Sequence, residues 1–279
     1  VAHVFTTSAE GTVAAAGNGT VFYTNLEPLI DNLSAAARAF TFNAGAETIT
    51  LDDASGEKMT VASTLARSIT FATPAASLVI NAGAGSDVIS INSFDATFVG
   101  ALSIDGGASV DSVTLAADLT LAVGNSLTVS GETIAISSGT DFVTSGAGAI
   151  SLTADDLSIA ASASLNAGTS TATIQTATAG REIDLGTETI GRLSLTDAEL
   201  DRISAGTLSI GNASSGAITV SAAISDSGDK NFVVTTGRNI AFNSGTSWTT
   251  TNGNLTFSAN ASGTMTGNLV GILVDGATI

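Results

Sequence analysis

One short pattern recurs along nearly the whole chain: two apolar residues flank a single Ser or Thr, as in Phe40-Thr-Phe42, Ile49-Thr-Leu51, Ile69-Thr-Phe71, Ile89-Ser-Ile91 and Leu102-Ser-Ile104. It continues through Leu127-Thr-Val129, Ile150-Ser-Leu152, Leu193-Ser-Leu195, Leu208-Ser-Ile210, Ile218-Thr-Val220 and Leu255-Thr-Phe257. Alternation with period two in β-branched company is the signature of a strand with one buried and one solvated face. Each run is short and bounded by Gly, Asn, Asp or Ser, so the chain must turn after every few residues. The last apolar positions of the early runs are Phe42, Leu51, Val61, Phe71, Ile80, Ile91, Ile104 and Leu115, spaced 9 to 13 residues apart. Two such gaps make a period of about 20 to 24 residues, the range of solenoid repeats.

Internal similarity supports a repeat. Ile80-Asn-Ala-Gly-Ala-Gly-Ser-Asp-Val-Ile-Ser-Ile91 aligns without gaps on Ile104-Asp-Gly-Gly-Ala-Ser-Val-Asp-Ser-Val-Thr-Leu115, at an offset of 24. Phe42-Asn-Ala-Gly-Ala-Glu-Thr-Ile-Thr-Leu51 reads as a third copy, two residues shorter. These features predict an all-β chain folded as a parallel β-helix (β-solenoid). Inward Ile, Leu and Val stack from coil to coil, while outward Ser and Thr meet water. About 12 coils at ~4.8 Å each would make a rod about 60 Å long. A β-sandwich is the competing fold. It normally carries more aromatic anchors than the single Trp present and more turn prolines than two.

The 279 residues read as one solenoid, with a shift in turn composition near residue 120 that suggests subregions 1–118 and 119–279. Acidic turns dominate the first; Gly-Asn and Ser-Gly turns dominate the second. Two stretches depart from the strand pattern. Residues 25–33 have helical apolar spacing, with Pro28 suited to a first helical turn. Residues 196–203 place Thr196 and Glu199 at capping-box spacing. Both are predicted to be short helical excursions.

Charge excludes several functions. With 25 acidic against 8 basic residues the net charge is −17, and the pI is near 4.1. That leaves no basic footprint for nucleic acid and no attraction to anionic membranes. Without Cys there is no disulfide, thiolate site or cysteine nucleophile. The one His, His3, reads as an exposed terminal residue. No apolar run is long enough to span a bilayer, although mean hydropathy is +0.41. The composition fits an extracellular bacterial protein, and the strand-like character of 271–279 suggests a piece of a longer chain.

Residues 21–115 resemble modules of very large, repetitive secreted bacterial proteins. The elements that carry this are Phe22-Tyr-Thr-Asn-Leu-Glu-Pro-Leu29, the Asn-Ala-Gly-Ala turns at 43–46 and 81–84, and the strands that follow them. Residues 185–220 resemble repeats of filamentous-haemagglutinin-like surface proteins, through Leu193-Ser-Leu-Thr-Asp-Ala-Glu-Leu-Asp-Arg-Ile203 and Gly206-Thr-Leu-Ser-Ile-Gly-Asn212. The resemblance implies a cell-surface location and work in adhesion, coats or fibres. The partners expected are the chain itself or neighbouring modules stacked end to end, and glycans of a host or cell surface.

Candidate sites are few. Gly83-Ala-Gly-Ser-Asp-Val-Ile89 resembles one calcium-binding nonapeptide, which makes Asp87, Asp111 and the nearby Asp105 the candidate Ca²⁺ ligands. No cofactor is required; Ca²⁺ is the one these turns could take. The competing reading is that Asn and Asp only shape the turns. For acid–base chemistry on a polysaccharide the candidates are Asp52 with Asp53, Asp155 with Asp156, and Asp197 with Glu199 and Asp201. Adjacent strand residues face opposite ways, so the two Asp pairs fit that role poorly, and no catalysis is expected. Ice binding would need flat ranks of paired Thr, and here Thr occurs singly between core residues.

Overall fold

The computed structural model describes residues 1–7, 9–25, 29–43, 45–144, 148–263 and 270–279. It is an all-β parallel solenoid. Eight strands form its N-terminal part: β1 (Ala2–Phe5), β2 (Glu10–Ala14), β3 (Thr20–Thr24), β4 (Leu29–Asp31), β5 (Ala37–Thr41), β6 (Thr48–Ala54), β7 (Lys58–Ser63) and β8 (Ile69–Ala72). Regular coils then follow through β9 (Ser77–Asn81), β10 (Val88–Ile91), β11 (Ala101–Asp105), β12 (Ser112–Leu115), β13 (Leu119–Leu121), β14 (Leu127–Ser130), β15 (Thr133–Ile136) and β16 (Asp141–Thr144). The next are β17 (Ile150–Thr153), β18 (Asp156–Ile159), β19 (Ser164–Asn166), β20 (Thr171–Gln175), β21 (Ile183–Gly186) and β22 (Leu193–Thr196). Among the described residues one short helix, α1 (Asp197–Asp201), interrupts the strands. After it come β23 (Ile203–Ser204), β24 (Thr207–Ile210), β25 (Ile218–Val220), β26 (Ile224–Asp226), β27 (Asn231–Thr235), β28 (Ile240–Phe242), β29 (Trp248–Thr250), β30 (Leu255–Ser258) and β31 (Ile272–Val274).

Three faces wrap the core. The first is a single twelve-stranded sheet, β3-β2-β1-β5-β9-β11-β14-β17-β20-β24-β27-β30, which crosses residue 118 without a break. At ~4.8 Å per strand it is about 53 Å long. The second runs β4-β8-β7-β6-β10-β12-β15-β18 and resumes as β22-β21-β25-β28-β31. The third is β13-β16-β19-β23, then β26-β29.

The triplet pattern becomes stacked ladders. On the first face Phe40, Ile80, Ile104, Val129, Leu152, Ile174, Ile210, Val234 and Phe257 follow one another in register. All but Phe257 are buried, and Phe257 packs against the same core. The offset of 24 read from the sequence is the actual register: Asn81 pairs with Asp105 and Ile91 with Leu115. The third copy differs from its sequence reading. It pairs at an offset of 40 with no gap, Phe40 on Ile80 and Leu51 on Ile91. The extra length is the antiparallel β6-β7-β8 meander inserted between coils.

Two predictions are corrected at the N-terminal end. Residues 29–31 are strand, not helix; residues 26–28 of that stretch lie outside the described residues. Leu29 and Asp31 face inward while Ile30 faces out, and β4 pairs in parallel with β8. His3 is buried rather than exposed. Its Nε2 lies 2.9 Å from Asp31 Oδ2, and its ring stacks on Phe40 at 5.0 Å. The guanidinium of the buried Arg38 donates to the same Asp31 oxygen, and its Nε donates to Ala72 O at 3.0 Å. Burial alone would raise the Asp31 carboxyl, but the Arg38 bond and charge outweigh it and hold the group below the usual carboxylate range. Burial lowers the His3 pKa.

Candidate functional site

Of the three candidate calcium ligands, the structure brings two together. Asp87 and Asp111 stand in one column with Glu47 and Glu132, each from a successive coil on the second face. Glu47 N–H donates to Asp87 Oδ1, Asp87 N–H to Asp111 Oδ1 and Asp111 N–H to Glu132 Oε2, all at 2.8 Å. The Asp87, Asp111 and Glu132 carboxylates thus each complete the backbone of the coil before, where the strand ladder has not yet begun, while the Glu47 carboxylate accepts from Ser63 Oγ. Glu47, Asp87 and Asp111 are buried, and burial raises the pKa of all three. The close fit at Gly106 belongs to this column: a Cβ there would lie 2.7 Å from Asp111 Oδ2. Asp105 does not join. It is exposed, and its Oδ1 accepts from Gly107 N–H at 3.1 Å, as Asn43 and Asn81 accept from Gly45 and Gly83. This is the turn-shaping role. Among the described residues no group of three His, Asp or Glu side chains is arranged to hold a metal ion.

The adjacent carboxylate pairs part as strand geometry requires. Asp155 is buried and accepts from Thr178 N–H at 2.9 Å, while Asp156 is exposed. Asp52 accepts from Asn92 Nδ2 at 3.0 Å, and the Asp53 N–H donates to Ser93 Oγ.

A cleft lies where the third face breaks. β23 and β26 belong to successive coils but do not pair. The cause is visible on the second face, which holds eight strands and five, thirteen rows against twelve on the first. The extra row comes from β21 and β22, consecutive strands that pair in parallel after a tight return through 187–192. Helix α1 plugs the resulting gap. Thr196 caps it through a complete capping box with Glu199. Glu199 Oε1 accepts from Ile159 N–H, at the end of β18, at 3.0 Å. Asp197 Oδ1 accepts from Ser225 N–H, on the edge of β26, at 2.7 Å. Lys230 closes the other side: its Nζ donates to Leu200 O at 2.7 Å and Ile203 O at 3.0 Å, and pairs with Asp226 Oδ1 at 3.0 Å.

What remains open is a cleft of about 580 Å³ lined by Gly168, Thr169, Ser204, Gly206, Ser227, Gly228 and the charged Asp201, Asp226, Asp229 and Lys230. Burial raises the Asp201 pKa, and the nearby Asp197 charge adds to the shift. Above the cleft's helix, Glu188 bonds the Glu199 carboxyl. Burial, that bond and the charges of Glu199, Asp156 and Asp184 push the Glu188 pKa up to about 7. The sequence picked out Asp197, Glu199 and Asp201 but missed Asp226 and Lys230. Ser-Gly-Asp-Lys reads locally as an ordinary turn, and only the break in the ladder gives it a role. Chemically, the cleft offers carboxylate acceptors and hydroxyls without an aromatic platform, and its ammonium already has three partners.

No family model, curated protein or solved structure matches this chain.

Proposed function

We propose that the chain is a structural or adhesive segment of a large extracellular bacterial surface protein, in which coil stacking builds a rod, fibre or coat. The observation that supports this reading best is the continuous apolar core, one cluster running from Phe5 to Trp248 beneath an unbroken twelve-stranded sheet. Such a body spans distance and presents a long, Ser- and Thr-covered outer face, on which a glycan partner would sit. The carboxylates beside the ladders are engaged in completing backbone hydrogen bonds. Electron microscopy of the purified chain tests the reading: stiff particles about 50 Å long support it, and round ones overturn it.

A second reading is favoured by one feature, the convergence of Asp201, Asp226 and Asp229 beside Lys230 at the cleft. Carboxylates with a neighbouring cation suit polysaccharide cleavage. Against this, Lys230 Nζ is fully hydrogen-bonded. Turnover of an acidic polysaccharide by the native chain, abolished in Asp201→Asn, would replace the structural reading with the enzymatic one.

A further inference from the structure

The cleft beside α1 carries charge that its own residues do not neutralise. Asp201, Asp226 and Asp229 line it with Lys230, so three negative charges against one positive leave two over. Lys230 Nζ is already engaged by Asp226 Oδ1 and two backbone carbonyls. Asp229 Oδ1 accepts from Asn252 Nδ2 at 2.7 Å, a hydrogen bond that brings no positive charge. Asp226 is only 7% exposed, yet its Oδ2 has no hydrogen-bond partner. A buried acceptor left in that state costs free energy until something donates to it. This oxygen faces the bare backbone of Gly228, itself part of the cleft wall. A Cβ on Gly228 would lie 3.5 Å from Asp226 Oδ2 and 3.9 Å from Oδ1, and within 4 Å of nothing else beyond its chain neighbours. The free oxygen is thus aimed at the cleft across a gap that one methyl group would fill.

A second cleft, of about 220 Å³, shares Asp201, Asp226 and Ser227 and is walled by residues 249–251 of the next coil. Together the two make a groove across β23, β26 and β29, three successive coils of the third face. Its lining selects the ligand. The excess negative charge calls for a cation. Among the described residues no carboxylate group is arranged around a metal ion. No aromatic ring lines the groove to receive a quaternary ammonium. A primary ammonium, with three N–H donors, suits two carboxylates. Beside them stand the hydroxyls of Thr169, Ser204 and Ser227, which can donate or accept. An ammonium flanked by hydroxyls on one rigid ring matches this lining.

Deepening the adhesive reading above, on which it rests, we propose that the groove binds an amino sugar with a free amine. Its ammonium lies between Asp201 and Asp226, and its hydroxyls meet the Ser and Thr side chains. The bound charge also offsets the neighbouring carboxylates that, after burial, raise the Asp201 pKa.

Calorimetric titration with a glucosamine disaccharide tests this. The native chain is expected to bind it and to ignore the N-acetylated disaccharide, which keeps the ring hydroxyls but lacks the charge. Asp201→Asn should weaken binding roughly tenfold, the size of one charge-assisted hydrogen bond. Gly228→Ala, which changes no charge but fills the gap over Asp226, should weaken it too. Asp53→Asn, an equal change in net charge at an exposed position on β6, should not. Circular dichroism and melting confirm that each variant remains folded. No binding, equal binding of the acetylated sugar, or binding that either cleft variant leaves intact overturns the proposal. So does a linear diamine that binds as tightly, because the ammonium alone would then be the ligand. Stiff rods that ignore the disaccharide leave the structural reading standing while this inference falls; round particles remove that reading whatever the titration shows.

Discussion

At the scale of single residues the fold makes neighbouring positions unequal. Ile91 is fully buried between Leu51 and Leu115, whereas Ser90 is half-buried on the outer surface between Thr50 and Thr114. Ile91→Asp should cost several kcal/mol, because it buries an unpaired charge. Ser90→Asp should cost under about 1 kcal/mol, and equal losses in melting temperature would contradict this facing. The carboxylate column gives a second contrast. Asp87→Ala strands the Glu47 N–H and should cost about 1–3 kcal/mol, while Asp87→Asn keeps the acceptor and should leave melting within about 0.5 kcal/mol of native. A chelator should leave the native melting temperature unchanged; a loss restored by Ca²⁺ and absent from Asp87→Asn would make the column a cation site instead. Facing was legible in the sequence because period two is local. The burial of His3 and Lys230 was not, since each is decided by partners, Asp31 and Leu200, that lie about 30 residues away.

At the scale of elements, α1 was legible and β4 was not. A capping box is self-contained: Thr196 and Glu199 satisfy each other's backbone groups whatever surrounds them. The apolar spacing of 25–33 has no such local closure, and pairing with β8 together with the Asp31–Arg38 bond makes residues 29–31 strand. Thr196→Ala should cost about 1 kcal/mol through the lost cap. Lys230→Ala should cost more, about 3–5 kcal/mol, because Asp226 keeps a buried charge and two carbonyls lose their donor. Thermal melts that rank these two variants in the opposite order would contradict the plug. The return through 187–192 should respond to pH. A carboxyl raised in the folded state contributes stability below its unfolded value that is lost as pH rises through its folded value. For Glu188 that window runs from about 4.5 to about 7. Amide exchange in 187–192 should therefore accelerate across this range beyond its intrinsic dependence, and in Glu188→Gln that excess should vanish.

At the scale of the whole molecule, thirteen rows on one face meet twelve on another. In the language of crystals this is an edge dislocation, an extra half-row that ends inside the lattice. Its core is the stretch around α1, where side chains rather than strand ladders hold successive coils together on the third face. In the coils from β11 to β19, and again from β24 to β29, a pull along the axis is shared by three sets of backbone bonds; between β23 and β26 the third set is replaced by Lys230 and Asp197. The rod has a built-in place to yield. Single-molecule extension from its two ends should show the first rupture between β23 and β26, at a force that Lys230→Ala lowers. Rupture beginning at another junction, unaffected by that substitution, would show that the defect bears load as well as the regular coils do.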